Sequence, residues 1–143
     1  MNIELVKKFK DALAMELKEA DRVPAELSSF PFGSCEETSK MLALYLSDND
    51  ISDVVYTRNN TISEMSGSGV HYWVVVDGTW VIDLTAHQFD ECDDDFIVSQ
   101  SSDFHSNYEL ESAHIADIND LDGFGSNDIS KFYKKLTIRL KNT

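Results

Sequence analysis

The chain of 143 residues is long enough for one domain with a single hydrophobic core, and we expect one domain over residues 1–143. No apolar run is long enough to cross a membrane and the N-terminus lacks a secretory pattern, so we expect neither membrane insertion nor a cleaved leader. The formal net charge of −14 argues against a nucleic-acid partner, because phosphate contacts depend on Lys and Arg, and it is compatible with a cationic substrate, a basic partner protein or solubility alone.

The N-terminal segment has apolar residues at helical spacing, which predicts an amphipathic helix over residues 3–20. Residues 21–32 contain Pro24 and Pro31 and are typical of a loop. The chain then enters a second predicted helix, which carries the first of two cysteines.

This second helix is predicted to begin at Cys35 and to end near Leu46. Ser34 and Glu37 have the spacing of a capping box, in which Ser34 is the N-cap and Glu37 reaches back to its backbone N–H. A thiol at the first helical position lies beside unpaired N–H groups and the positive end of the helix dipole, which favours the thiolate. The neighbouring carboxylates oppose this effect, and an inert buried cysteine is the alternative. Gly33 leaves room for a ligand or another backbone to approach.

The middle of the chain is predicted to form strands. Residues 53–57 are rich in β-forming residues, and residues 59–69 are polar and typical of a loop. Two apolar segments, residues 71–76 and 79–84, flank Asp77-Gly78, a strong hairpin signal. Both segments are apolar on both faces, so we expect this hairpin at the centre of the sheet.

The length of the hairpin loop decides whether His71 and Asp83 can meet. A two-residue loop would place their side chains on opposite faces of the sheet. A three-residue loop over residues 76–78, with Gly78 in the left-handed conformation, makes them direct cross-strand neighbours. We predict this second arrangement, because it allows a hydrogen bond between imidazole and carboxylate.

The rest of the chain is less regular. Residues 90–95 form an acidic run without the glycine and distal glutamate of a calcium-binding loop, and we interpret it as a solvated loop. Residues 96–98 resemble a short strand, whereas residues 99–127 are polar and mostly irregular. The C-terminal apolar residues have helical spacing from residue 129, but residues 136–140 alternate like a strand, so both structures stay open. We expect His87, His105 and His114 at the surface.

The two cysteines differ in their surroundings. Cys92 lies among the carboxylates of the acidic run, which would raise its pKa and make it a poor nucleophile. Two cysteines far apart, without a secretory signal, are typical of a reducing compartment. We therefore predict a cytoplasmic protein without a disulfide framework.

Cysteine-dependent acyl chemistry needs a thiolate, an imidazole that moves the proton, and a group that orients the imidazole. Cys35, His71 and Asp83 supply these groups in this order. The Cys35 backbone N–H is a ready oxyanion donor, and the hydroxyl of Ser34 or Ser29 is a candidate for the second. The same three side chains could also bind zinc, but their order fits a catalytic triad better, so we predict no metal and no other cofactor.

Three short motifs carry a family resemblance: Gly33-Ser34-Cys35, His71-Tyr72-Trp73 and Ile82-Asp83-Leu84-Thr85. In this order and spacing they resemble the transglutaminase-like branch of the papain-like cysteine protease superfamily. Small bacterial papain-fold proteins, some of them toxin or effector domains, are the most similar in character. The resemblance covers residues from about Phe30 to Phe89.

The resemblance implies an α+β fold in which a cysteine-bearing helix packs on an antiparallel sheet. It implies that Cys35 is the nucleophile, His71 the base and Asp83 the orienting carboxylate. The implied reaction transfers an acyl group from an amide or ester to water or an amine through a thioester, as in peptidases, amidases, deamidases and transglutaminases. The substrate would then be a protein, a peptide or an amine, and Gly33, Ser34 and Trp73 would border it.

Two further interpretations stay open. The chain could be a catalytically inactive papain-fold protein that binds a basic partner, as its acidic charge permits. It could also be a toxin or effector with the same chemistry, exported without a cleaved signal.

Overall fold

A computed structural model describes residues 1–62, 69–123 and 126–142. Within these residues the fold is α+β, with three α-helices and a five-stranded antiparallel sheet. The helices are α1 (Ile3–Glu19), α2 (Cys35–Asp48) and α3 (Asp128–Lys141). The strands are β1 (Val54–Thr61), β2 (Val70–Val76), β3 (Trp80–Asp83), β4 (Ile97–Ser99) and β5 (Tyr108–His114), in the spatial order β4-β3-β2-β1-β5. The α+β class predicted from the sequence is confirmed.

One face of the sheet packs against α2, and α1 and α3 pack around α2 to complete the hydrophobic core. Tyr56, Val74 and Ile82 lie side by side on this face, because they pair directly across β1, β2 and β3. The helices contribute the apolar sides that their 3.6-residue period predicts, such as Phe9 of α1 and Leu136 of α3, both fully buried. No helix in the described ranges has the length and apolarity needed to cross a bilayer.

Helix α2 begins at Cys35, as the sequence predicts, but the capping box does not form. The Ser34 side chain does not cap the helix; its hydroxyl lies 3.0 Å from the Glu26 carbonyl oxygen and 3.2 Å from that of Phe32. The Ser34 backbone N–H donates to the Pro31 carbonyl instead of to Glu37. Ser34 is fully buried under the preceding loop, so its polar groups satisfy the carbonyls of that loop.

The hairpin has a three-residue loop, but its register differs from the prediction. Val76 pairs with Trp80, so the loop comprises residues 77–79 and not 76–78. Asp77 and Gly78 both adopt positive φ, at 55° and 67°. Extending this register by one pair places Asp83 opposite Trp73, so that His71 and Asp83 share a face as diagonal neighbours and not as a direct pair. A shift by two residues preserves the face, which is why the two side chains still meet.

Two other segments refine the sequence-based expectations. Strand β1 continues to Thr61, so Asn59 belongs to the sheet and not to the predicted loop, of which residues 63–68 lie outside the described residues. The C-terminal segment, for which both structures were open, is helix α3. Its apolar residues keep one buried stripe to the end: Ile129, Phe132, Tyr133, Leu136 and Leu140.

Candidate active site

The thiol of Cys35 lies at the first residue of α2, where backbone N–H groups have no partner within the helix. Cys35 is half-buried, and Gly33 next to it is exposed. Gly33 has a φ of 67°, which a residue with a Cβ adopts only with strain, and the space around a Cβ at this position is open. The backbone before the thiol therefore leaves an approach for a substrate.

His71 and Asp83 form a buried hydrogen bond between neighbouring strands β2 and β3. The distance from His71 Nε2 to Asp83 Oδ2 is 2.7 Å, and the two residues are 0% and 2% exposed. The other carboxylate oxygen, Oδ1, accepts from the Thr85 backbone N–H at 2.9 Å and lies 3.3 Å from the Thr85 hydroxyl. Asp83 is therefore held at both oxygens and fixes the orientation of the imidazole.

The electrostatics of this pair favour its charged form. Burial acts to lower the pKa of His71, but the Asp83 carboxylate, its hydrogen bond and the nearby Cys35 together raise this pKa to about 9. Burial acts in the opposite direction on Asp83, yet the charge of His71 and hydrogen bonds from His105 and His71 hold its pKa well below its usual range. At neutral pH the site therefore contains an imidazolium and a carboxylate.

The second ring nitrogen of His71, Nδ1, is not used by Asp83. His71 Nδ1 is buried and completes no regular hydrogen bond within the described part of the chain. Because Nε2 is bound to Asp83, Nδ1 is the nitrogen left for Cys35, whose interaction with the imidazole contributes to the raised pKa of His71. Loose contacts of this kind are usual in active sites without substrate. A protonated imidazole beside a thiol is the arrangement that surrounds nucleophilic cysteines.

His105 belongs to the same cluster, although the sequence predicts it at the surface. It is 6% exposed, and its Nε2 lies 2.7 Å from Asp83 Oδ2, the oxygen that His71 also contacts. Its Nδ1 lies 2.5 Å from Ser102 Oγ. The prediction of an exposed His105 is wrong because its polar neighbours in sequence hide a long-range contact. The Ser102-x-x-His105 spacing allows a local turn, but nothing in it indicates Asp83.

The other two histidines lie outside this cluster. His114 is exposed on β5, as predicted, and its Nε2 lies 2.9 Å from Ser112 Oγ. His87, expected at the surface, is half-buried beside Phe30, with ring centroids 6.1 Å apart.

Aromatic rings enclose the imidazole of His71 and exclude water from it. Its ring centroid lies 4.8 Å from that of Phe89, 5.6 Å from Trp73 and 5.9 Å from Tyr108. Exclusion of water strengthens the interactions between His71 and its charged neighbours.

Among the residues predicted to border a substrate, Gly33 is exposed beside the thiol, whereas Ser34 is 0% and Trp73 is 6% exposed. The Ser34 hydroxyl is bound to loop carbonyls, and Trp73 packs against His105 with centroids 4.5 Å apart. These two residues support the site from inside, and their direct contact with a substrate stays a prediction.

Three ligating atoms of His71, Asp83 and His105 lie within 4.8 Å of one another, so this cluster has the composition of a metal site. Its geometry is already satisfied without an ion, because each Nε2 lies at hydrogen-bond distance from the same carboxylate oxygen. The side chains are at most 4% exposed. The arrangement is better suited to proton chemistry than to binding an ion.

Cys92 provides an internal contrast to Cys35. It is also half-buried, but burial and the neighbouring aspartates raise its pKa, despite a hydrogen bond with the Asp94 backbone that lowers it. The pKa of Cys92 is raised, as the sequence predicts, although burial contributes more than the predicted carboxylates. Of the two thiols, Cys35 alone interacts with an imidazole among the described contacts.

No protein-family model matches the chain, and comparison with curated proteins and with solved structures gives no significant similarity.

Proposed function

We propose that this protein is a cysteine-dependent acyltransferase or hydrolase with a papain-like core, in which Cys35 is the nucleophile, His71 the general base and acid, and Asp83 the orienting carboxylate. The observation that supports it most directly is the position of one imidazole between two partners. His71 binds Asp83 through Nε2, its Nδ1 is buried and unoccupied within the described residues, and Cys35 is near enough to contribute to the raised pKa of the imidazole. These features support the arrangement that nucleophilic catalysis by cysteine requires.

In the first half of the reaction, the Cys35 thiolate attacks the carbonyl carbon of an amide or ester. The carbonyl electron pair moves onto oxygen, where the Cys35 backbone N–H stabilises the negative charge. The tetrahedral intermediate then collapses to a thioester, and the protonated His71 gives its proton to the departing amine or alcohol. Asp83 stays ionised throughout and stabilises the imidazolium.

In the second half, a water molecule or an amine attacks the thioester while neutral His71 accepts its proton. The bond to sulfur breaks, the acyl group leaves as an acid or a new amide, and the imidazolium and thiolate are restored. The chemistry is the same for hydrolysis and for transfer, since only the acceptor differs.

Carboxylates near the thiol support a positively charged substrate, such as a basic peptide segment or an amine. Glu36 and Glu37 occupy the first turn of α2, directly after Cys35, and the charges of Glu36 and Glu26 both act on Glu37. Burial is the largest cause that raises the pKa of Glu37, and these two charges add to it. Lys40 lies 2.7 Å from Glu36 and offsets part of this repulsion, and a cationic substrate group would offset more of it.

The test is the alkylation of the two cysteines by iodoacetamide across pH, followed by mass spectrometry of each site. We expect Cys35 to react at a pH well below that of a free thiol, whereas Cys92 reacts only at alkaline pH. His71→Ala should remove the advantage of Cys35 and leave Cys92 unchanged, and circular dichroism would check that this variant is folded. His71→Gln is the second variant if His71→Ala does not fold.

Equal reactivity of Cys35 and Cys92 in the native protein would contradict the proposal. That result would favour an inactive papain-fold protein that binds a basic partner.

A further inference from the structure

The carboxylate of Asp83 binds a second imidazole that a three-residue site does not require. We infer that His105 is a positioning residue for the proposed acyl-transfer site, which acts through Asp83 to hold His71 in the tautomer and orientation that face Cys35. The role of His105 in acyl transfer rests on the proposed function. Its role in positioning His71 rests on the contacts of Asp83.

Three residues hydrogen-bond to Asp83: His71 of β2, His105 between β4 and β5, and Thr85 directly after β3. Oδ2 lies 2.7 Å from Nε2 of both His71 and His105, and Oδ1 accepts from Thr85. An ionised carboxylate only accepts hydrogen bonds, so both imidazoles must donate through Nε2–H. With donors on both oxygens, the carboxylate plane cannot rotate without losing a buried hydrogen bond, which is unfavourable.

Asp83 determines which nitrogen of His105 carries the proton, and the Ser102 hydroxyl complements that tautomer. Ser102 Oγ lies 2.5 Å from His105 Nδ1 and accepts from the His105 backbone N–H at 3.4 Å. Since Nε2 donates to Asp83, Nδ1 of neutral His105 must accept from the Ser102 hydroxyl. The order of donors therefore runs from Ser102 to His105 and from His105 to Asp83.

The same logic fixes the proton of His71. When His71 is neutral, its proton remains on Nε2 because Asp83 accepts there, and Nδ1 is free to receive a proton from Cys35 or from the acceptor. Two donors on Oδ2 also make this oxygen less basic, so the proton stays on His71. Other titratable groups around this network include Cys35 at the start of α2 and Tyr108 of β5, whose ring packs against His71. The charge of Asp83 also acts on His87 and Cys92.

The test uses a Cys92→Ser background, so that only Cys35 is alkylated, and four variants: His105→Ala, His105→Gln, Ser102→Ala and His114→Ala. His114→Ala is the matched control, because His114 also contacts a serine but lies exposed on β5 away from Asp83. The first measurement is the His71 tautomer by nitrogen-15 NMR at a pH above its titration. The second is the rate of Cys35 alkylation by iodoacetamide at pH 7.

We expect native His71 to carry its proton on Nε2 and His105→Ala to give a mixture of tautomers, with alkylation slower by at least about tenfold. His105→Gln should restore the rate to within about threefold, since its amide can donate to Asp83 and accept from Ser102. Ser102→Ala should have a smaller effect, of about threefold, and His114→Ala none.

A role of His105 in packing alone would lower thermal stability without changing the His71 tautomer, and His105→Gln would not restore the rate; either result overturns the inference. Recovery of the protein with one bound zinc ion per chain, lost in His105→Ala, would also overturn it. If the His71 tautomer changes as expected but native Cys35 reacts like a free thiol, the inference stands and the proposed function fails. If Cys35 is activated in the native protein and unaffected in His105→Ala, the proposed function stands and the inference fails.

Discussion

The two faces of the sheet bury different kinds of side chain for different purposes. On the face that packs against the helices, Tyr56, Val74 and Ile82 join a continuous apolar core. On the other face, His71 and Asp83 are buried to the same degree but are hydrogen-bonded and charged. Burial on the first face stabilises the fold, because apolar surface leaves water. Burial on the second face changes the protonation of specific groups, which is the property that a catalytic site needs.

Neighbouring residues of β3 allow the comparison to be tested directly, since Ile82 and Asp83 point to opposite faces. The largest effect is expected from Asp83→Asn on acyl transfer, measured as nitrophenolate release from p-nitrophenyl acetate. We expect a fall of about 10³–10⁴-fold, because an amide no longer stabilises the imidazolium or fixes its tautomer. A fall of less than about tenfold in a folded variant would show that Asp83 does not orient His71.

Ile82→Ala should have the reverse effect. It removes a side chain that is 1% exposed at the centre of the core, and we expect the free energy of unfolding in urea to fall by about 2–5 kcal/mol. The rate of Cys35 alkylation per folded molecule should stay within about twofold of the native value. A large loss of Cys35 reactivity without a loss of stability would show that the apolar face also controls reactivity, contrary to the comparison.

The smallest expected effect is the dependence of stability on pH. The pKa of His71 is raised to about 9 from 6.5, so its contribution is complete below about pH 6.5 and is lost as the pH rises to about 9. Its size is on the order of 3 kcal/mol. The pKa of Asp83 is lowered, so its contribution is present above about pH 3.8 and is lost on acidification below that value.

Urea unfolding at pH 6 and at pH 9.5 would measure the His71 contribution, with His71→Gln as the control that should lose this difference. Equal stability of the native protein at both values would contradict the charged pair. On the apolar face, Tyr56, Val74 and Ile82 do not ionise below pH 9. The prediction therefore concerns the second face alone.

The sequence predicts the apolar face better than the polar one. The helix start at Cys35 and the strands of the hairpin follow from local periodicity and turn chemistry, which neighbouring residues determine. The contact between His71 and Asp83 can also be predicted from the sequence, because one hairpin joins the two residues, which are 12 positions apart. The register was mispredicted by two residues, since Asp77 and Gly78 support more than one loop.

The remaining parts depend on contacts that no local pattern encodes. His105 reaches Asp83 across 22 residues, from a polar segment without clear periodicity. Asn59 looks like a loop residue, yet its side-chain amide is buried in β1 and donates to the carbonyl of His71 at 3.2 Å. Ser34 has the spacing of a capping residue but is bound by the loop before it. In each case a tertiary hydrogen bond overrides the local preference of a polar side chain.

The tie between Ser34 and the Glu26 carbonyl has a consequence for how the site would evolve. Residues 26–34 are tied to the start of α2 by these hydrogen bonds, so a change in the loop is expected to move the Cys35 thiol with it. We therefore expect an insertion within residues 26–34 to displace Cys35 and to be poorly tolerated.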